Sequence, residues 1–140
     1  MAKTKLVKNK QSGVIPYLKE NGMLKVVLIT SRGKNRWIVP KGNIEKNHSS
    51  SSSAAKEAFE EAGIKGKIVG EDLGSYRYSK SDSVFEVKIF PFEIKKTLDK
   101  WPESKSRLRR IVSLDQAKDL IEDADLKKML RKIPKIARNS

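Results

Sequence analysis

Three glutamates, Glu57, Glu60 and Glu61, stand close together in the stretch KEAFEEAGI. At i, i+3 and i+4 they share an arc of about 100° on a helix covering residues 51–62. Ala55, Ala58, Phe59 and Ala62 fall on the other side and read as the face to be buried. Carboxylates this close repel one another when ionised, which raises their pKa values. A hard divalent cation relieves the conflict, because Mg²⁺ takes oxygen ligands and commonly joins one or two carboxylates to substrate phosphates. The bland alternative is a solvated acidic helix face with no chemistry.

The approach to the helix favours the chemical reading. Pro40 fixes the backbone, Gly42 permits a close approach, and Lys41 places a cation between them. Arg32, Lys34 and Arg36 add charge on the preceding loop. Together these residues fit a metal-assisted attack of water on a phosphoanhydride, with Arg32, Arg36 and Lys41 as candidates for holding phosphates. The run Ser49–Ser53 reads as flexible low complexity whose last residues enter or cap the helix.

The elements around this segment alternate between strands and helices. GVIPYLKENGMLKVVLITSRG gives a strand, a turn at Asn21-Gly22 and a second strand over Leu24–Thr30. RWIVP is a short strand ended by Pro40, and Gly63 closes the acidic helix. IKGKIVGEDLGSYRY and SVFEVKIFPFEI read as further strands. Ser113 to Gln116 has the pattern of a helix cap, and a last helix is expected over Ala124–Lys132 before Pro134. The expected class is α/β, a mixed sheet with helices packed against it. Residues 1–11 are expected to be a flexible basic lead-in, 12–133 one domain, and 134–140 a loose tail.

A chain of 140 residues fits one domain with a real core. Thirty-one Lys plus Arg against seventeen Asp plus Glu leave a net charge of +14, a field that attracts nucleic acid, nucleotides, polyphosphates or an anionic membrane without choosing among them. No apolar run is long enough to span a membrane, and there is no cysteine. The expected setting is the cytoplasm, without a membrane partner, as a monomer or homodimer.

From Gly42 to Ile64 the residues resemble the Nudix box, the signature of the Nudix hydrolases. Gly42 stands at the first position, and Glu57, Glu60, Glu61, Gly63 and Ile64 match at the family spacing. Two positions depart from it: His48 stands for the first glutamate, and Lys56 for the arginine. Glu45, three residues before His48, is a candidate to compensate. The flanking SGVIPYLKENGMLKVVLITSRGKNRWIVPKGNIE and WPESKSRLRRIVSLDQAKDLI resemble the diadenosine polyphosphate and diphosphoinositol polyphosphate hydrolase branch.

The resemblance implies an α/β/α sandwich and hydrolysis of a phosphoanhydride with Mg²⁺ or Mn²⁺. It carries over Glu57, Glu60 and Glu61 as metal ligands, Glu57 as an aid to deprotonating water, and the carbonyl of Lys41 as a further donor. A fourth acidic group from outside the box is expected, with Glu103 the choice and Glu86 in reserve. The implied substrate is a dinucleoside polyphosphate or an inositol pyrophosphate. Hydrolysis at an RNA 5′ end, or a weakly active nucleotide- or RNA-binding module, are the alternatives left open.

Overall fold

The computed structural model describes residues 7–33 and 35–139. Two long strands, β1 (Val7–Glu20) and β7 (Ser83–Thr97), run parallel at the centre. The remaining six strands all pair antiparallel: β2 (Met23–Thr30) and β4 (Lys41–Asn43) with β1, β5 (Ile64–Ile68) and β6 (Gly74–Lys80) with β7, and β3 (Trp37–Ile38) and β8 (Arg109–Ser113) with β2. Each central strand changes partner along its outer edge. β1 pairs with β4 over Gln11–Gly13 and with β2 from Tyr17 onward. β7 pairs with β6 through Ile89 and with β5 from Phe92 onward.

Pro16 and Pro91 sit at these two change-overs, which explains how proline is tolerated inside central strands. Proline cannot donate to a ladder. At each change-over the outgoing partner has ended and the incoming one has not begun, so no ladder bond is lost on that edge.

Alternation along the strands sends successive side chains to opposite faces. Val14, Ile29, Phe90 and Phe92 pack under α1 (Ser50–Ala62), whose Ala54, Ala58 and Ala62 are fully buried. Ile15, Leu28, Val87 and Ile89 point the other way, against α2 (Leu114–Leu120), α3 (Ala124–Leu130) and α4 (Ile133–Arg138). The result is the expected α/β/α sandwich. The small alanine stripe lets α1 lie close to the sheet, and this brings its carboxylates down to the strand ends.

Four expectations are corrected. Residues 7–11 are not a flexible lead-in: β1 starts at Val7, with Gln11 paired to Val87 and Asn43. Residues 1–6, Lys34 and Ser140 lie outside the described residues. The segment from Pro134 is not a loose tail, because it forms α4 and anchors it through Ile133 and Ala137 in the core. The serine run enters and caps α1 as expected but is not flexible: Ser49 accepts from the Ser52 N–H at 3.0 Å, and buried Ser53 accepts from the Glu45 N–H. Phe59 is exposed rather than buried, since the inward face of α1 runs through Ala54, Ala58, Glu61 and Ala62.

Candidate active site

The acidic face of α1 is split by depth. Glu61 is buried, Glu57 is half-buried, and Glu60 lies nearer the surface with Lys56 at 3.7 Å. Glu57 lies against Gly42, where an added Cβ would overlap its carboxylate, so a side chain at position 42 would displace Glu57 from its present place. Glu61 accepts from the Lys41 N–H at 3.0 Å and from Arg107 Nη2 at 3.1 Å.

The end of α1 is fastened by a distant segment. A helix leaves its last carbonyls without intrahelical partners. Here the carbonyl of Glu60 accepts from the Glu103 N–H, that of Glu61 from Trp101 Nε1, that of Ala62 from Arg109 Nη1, and that of Gly63 from the Leu98 N–H. Gly63 has a φ of 64°, and the Trp101 ring would meet a Cβ there at 2.7 Å. This docking places Glu103 beside the box helix, where it accepts from Arg107 Nε at 2.9 Å and faces Arg32 at 3.7 Å.

Glu57, Glu60, Glu61 and Glu103 line a single cavity of about 700 Å³. Its walls also carry Arg32, Arg36, Lys41, Trp37, Tyr78 and Phe85. Lys41 Nζ donates to the Tyr78 hydroxyl at 3.1 Å, and that hydroxyl donates to Gln11 Oε1 at 2.8 Å. The Tyr78 and Phe85 rings stack with centroids 4.9 Å apart. Burial, then the charges of Glu61, Glu60 and Glu103, push Glu57 up to about 7. Burial also pushes Glu61 up to about 7, against Lys41 and Arg107, which favour its charged form.

These carboxylates fit a hard divalent cation by donor type and by their unmet demand for positive charge. Among the described residues no three acidic or imidazole groups already surround a common point. The oxygens are instead spread among Arg107, Lys56 and the Lys41 N–H, as expected for like charges kept apart by internal cations.

The family pattern of the NUDIX domain matches residues 9–133. The chain belongs to the Nudix family. It is 31% identical over 124 residues to Nudix hydrolase 21, chloroplastic, of Arabidopsis thaliana, covering 84% of this chain and 62% of that protein. Diphosphoinositol polyphosphate phosphohydrolase 3-beta of Bos taurus is 33% identical over 81 residues, covering 58% of this chain and 48% of that one. The crystal structure of the C. elegans Ap4A hydrolase superposes with a TM-score of 0.77 at 21% identity, covering 94% and 99% of the two chains. The chain thus spans between about half and two thirds of the length of these two curated relatives.

Against this Nudix frame the two departures have distinct outcomes. His48 is not among the residues lining the cavity; it is exposed, within 3.8 Å of Glu45 and 3.3 Å of Ser52 Oγ. Glu45 instead holds Lys56 by a side-chain hydrogen bond, which pulls the Glu45 carboxyl below its ordinary range and raises Lys56. Glu86, the reserve acid, is turned away to Arg77 at 3.0 Å and does not line the cavity. Arg107, Trp101 and Gln11 belong to the site or its support and are brought there by tertiary contacts rather than by any local pattern. Only Glu103 and Arg107, paired at i, i+4, left a local trace of their contact.

Proposed function

We propose that the protein hydrolyses a phosphoanhydride bond in a nucleoside-bearing polyphosphate, in the manner of a dinucleoside polyphosphate hydrolase. The observation that carries this reading is the cavity itself, which joins four carboxylates to a basic rim and a stacked aromatic wall. Glu57, Glu60, Glu61 and Glu103, with the Lys41 carbonyl, are the candidate holders of Mg²⁺ or Mn²⁺. Such an ion, when bound, screens phosphate charge and makes water more acidic.

The side chains account for the remaining parts of the reaction. Arg32 and Arg36 hold non-reacting phosphates by charge-assisted hydrogen bonds, and Lys41 joins them from the wall where Tyr78 orients it. Glu57, poised near neutrality, is the candidate base for the attacking water. The water oxygen bonds to phosphorus, the bridging P–O bond breaks, and the departing phosphate leaves with the electron pair. The proton released from water rests on Glu57.

Nucleotides are favoured over inositol pyrophosphates by two features of the same cavity. Trp37 and the Tyr78–Phe85 stack offer faces for a base. Glu122 and Asp123 line it too, and they would repel a substrate phosphorylated on all sides. The net charge keeps an RNA 5′ end as the second reading. The proposed compartment is the cytoplasm; a relative named chloroplastic makes an organelle the alternative. Product analysis of diadenosine tetraphosphate against an inositol pyrophosphate tests the choice: faster turnover of the inositol compound would reverse it.

A further inference from the structure

Arg107 is the most enclosed cation at the site, with its side chain 5% exposed. Its planar fork reaches three acceptors on three segments. Nε donates to Glu103 Oε1 at 2.9 Å, Nη2 to Glu61 Oε2 at 3.1 Å, and Nη1 to the Thr30 carbonyl at 3.0 Å. Only a guanidinium presents donors diverging in one plane in this way; an ammonium is a compact point charge. A purely structural role has no need of it, because well-packed apolar residues often replace a buried ion pair without loss of stability.

We propose that Arg107 is a positioning residue for divalent-cation binding, fixing the Glu61 and Glu103 carboxylates relative to one another across the cavity. The inference rests on the reading of that cavity as a cation site. Glu61 comes from the box helix and Glu103 from the segment docked on its end. Bonds to the α1 carbonyls from the Glu103 and Leu98 N–H groups, Trp101 and Arg109 dock the two segments, and Arg107 joins their two carboxylates. Thr30, at the end of β2, gives the guanidinium a fixed support on the sheet; its hydroxyl also accepts from the Leu108 N–H at 2.9 Å.

Charge and position predict opposite signs. A guanidinium beside a cation site repels the cation, so removing it should tighten binding if charge were its only effect. If Arg107 positions the ligands, its removal weakens binding, by about 10–100-fold for a residue that orients metal ligands.

The test is a Mn²⁺ titration of the substrate-free full chain, with free Mn²⁺ read by electron paramagnetic resonance and melting in chelator recorded alongside. Wild type, Arg107→Met, Arg107→Lys and Glu61→Gln are compared. Both Arg107 variants are expected to fold and to bind Mn²⁺ at least about tenfold more weakly. Lysine fails despite keeping the charge, because it lacks the fork. Wild-type or tighter affinity in Arg107→Met, or wild-type affinity in Arg107→Lys, would overturn the proposal. Failure of both variants to fold would also overturn it, by assigning Arg107 to the core. If wild type shows no Mn²⁺ binding that Glu61→Gln removes, the cation-site reading itself is lost, and the proposal with it.

Discussion

In the metal-free protein Glu57 works against its own fold above neutral pH. Its carboxyl is raised from 4.5 to about 7, by burial first and then by Glu61, Glu60 and Glu103. A raised acid contributes stability that is fully present below its unfolded value and is lost as pH rises through the folded one. The window therefore runs from about 4.5 to about 7. The gap, 7 − 4.5, is 2.5 units, or about 3 kcal/mol at ~1.4 kcal/mol per unit. Glu57 is only half-buried, so solvent screening brings this to about 1–2 kcal/mol. Glu57→Gln keeps the shape and removes the charge. In chelator at pH 8 the variant is expected to be more stable than wild type by about 1–2 kcal/mol, or about 3–7 °C in Tm. Most of that gain should disappear at pH 5. Urea unfolding at the two pH values measures it, with m-values confirming that only stability has changed. Adding Mg²⁺ or Mn²⁺ should restore wild type by mass action and leave the variant nearly unmoved. Equal stability at pH 8, or the same gain at both pH values, would refute the electrostatic argument.

The other predictions concern the helix end and the variant box. Gly63→Ala combines a left-handed φ with overlap of the Trp101 ring, and should destabilise by about 2–3 kcal/mol in denaturant unfolding; a change below about 0.5 kcal/mol would contradict the docking described. His48→Ala should leave turnover within about twofold, whereas Glu45→Ala, which strips Lys56 of its partner, should lower it by more. Equal effects in steady-state kinetics would show that residue 48 retains a role. Tyr78→Leu removes the ring beside Phe85 and the hydroxyl that holds Lys41. Its KM for a dinucleoside polyphosphate should rise by about tenfold, consistent with ~1–1.5 kcal/mol for a stacked contact.

Much of this was legible in the sequence because it is local. Asn21 and Gly22 both adopt positive φ and form the hairpin turn, and Ser113 with Gln116 forms the capping box its spacing promised. The glutamate spacing identified the acidic face of α1, and Gly63 ended the helix. The depth of that face was not legible. Helical periodicity cannot tell that Glu61 turns inward while Phe59 stays exposed, since the decision is made by Lys41 and Arg107, far along the chain. The tail is illegible for a similar reason: Pro134 suits the start of a helix as well as the end of one, and the burial of Ile133 and Ala137 is tertiary. Docking of residues 98–109 onto the α1 carbonyls is likewise non-local, and it is what brings Glu103 to the site.

The most direct test of the central claim is product analysis of the purified chain against diadenosine tetraphosphate, an inositol pyrophosphate, nucleoside triphosphates and 5′-triphosphorylated RNA. Each is run with Mg²⁺, Mn²⁺ or chelator, for wild type and Glu61→Gln. The account predicts metal-dependent cleavage, fastest for the dinucleoside polyphosphate and lost in Glu61→Gln. Turnover that survives in Glu61→Gln, or binding without any turnover of these substrates, would contradict it.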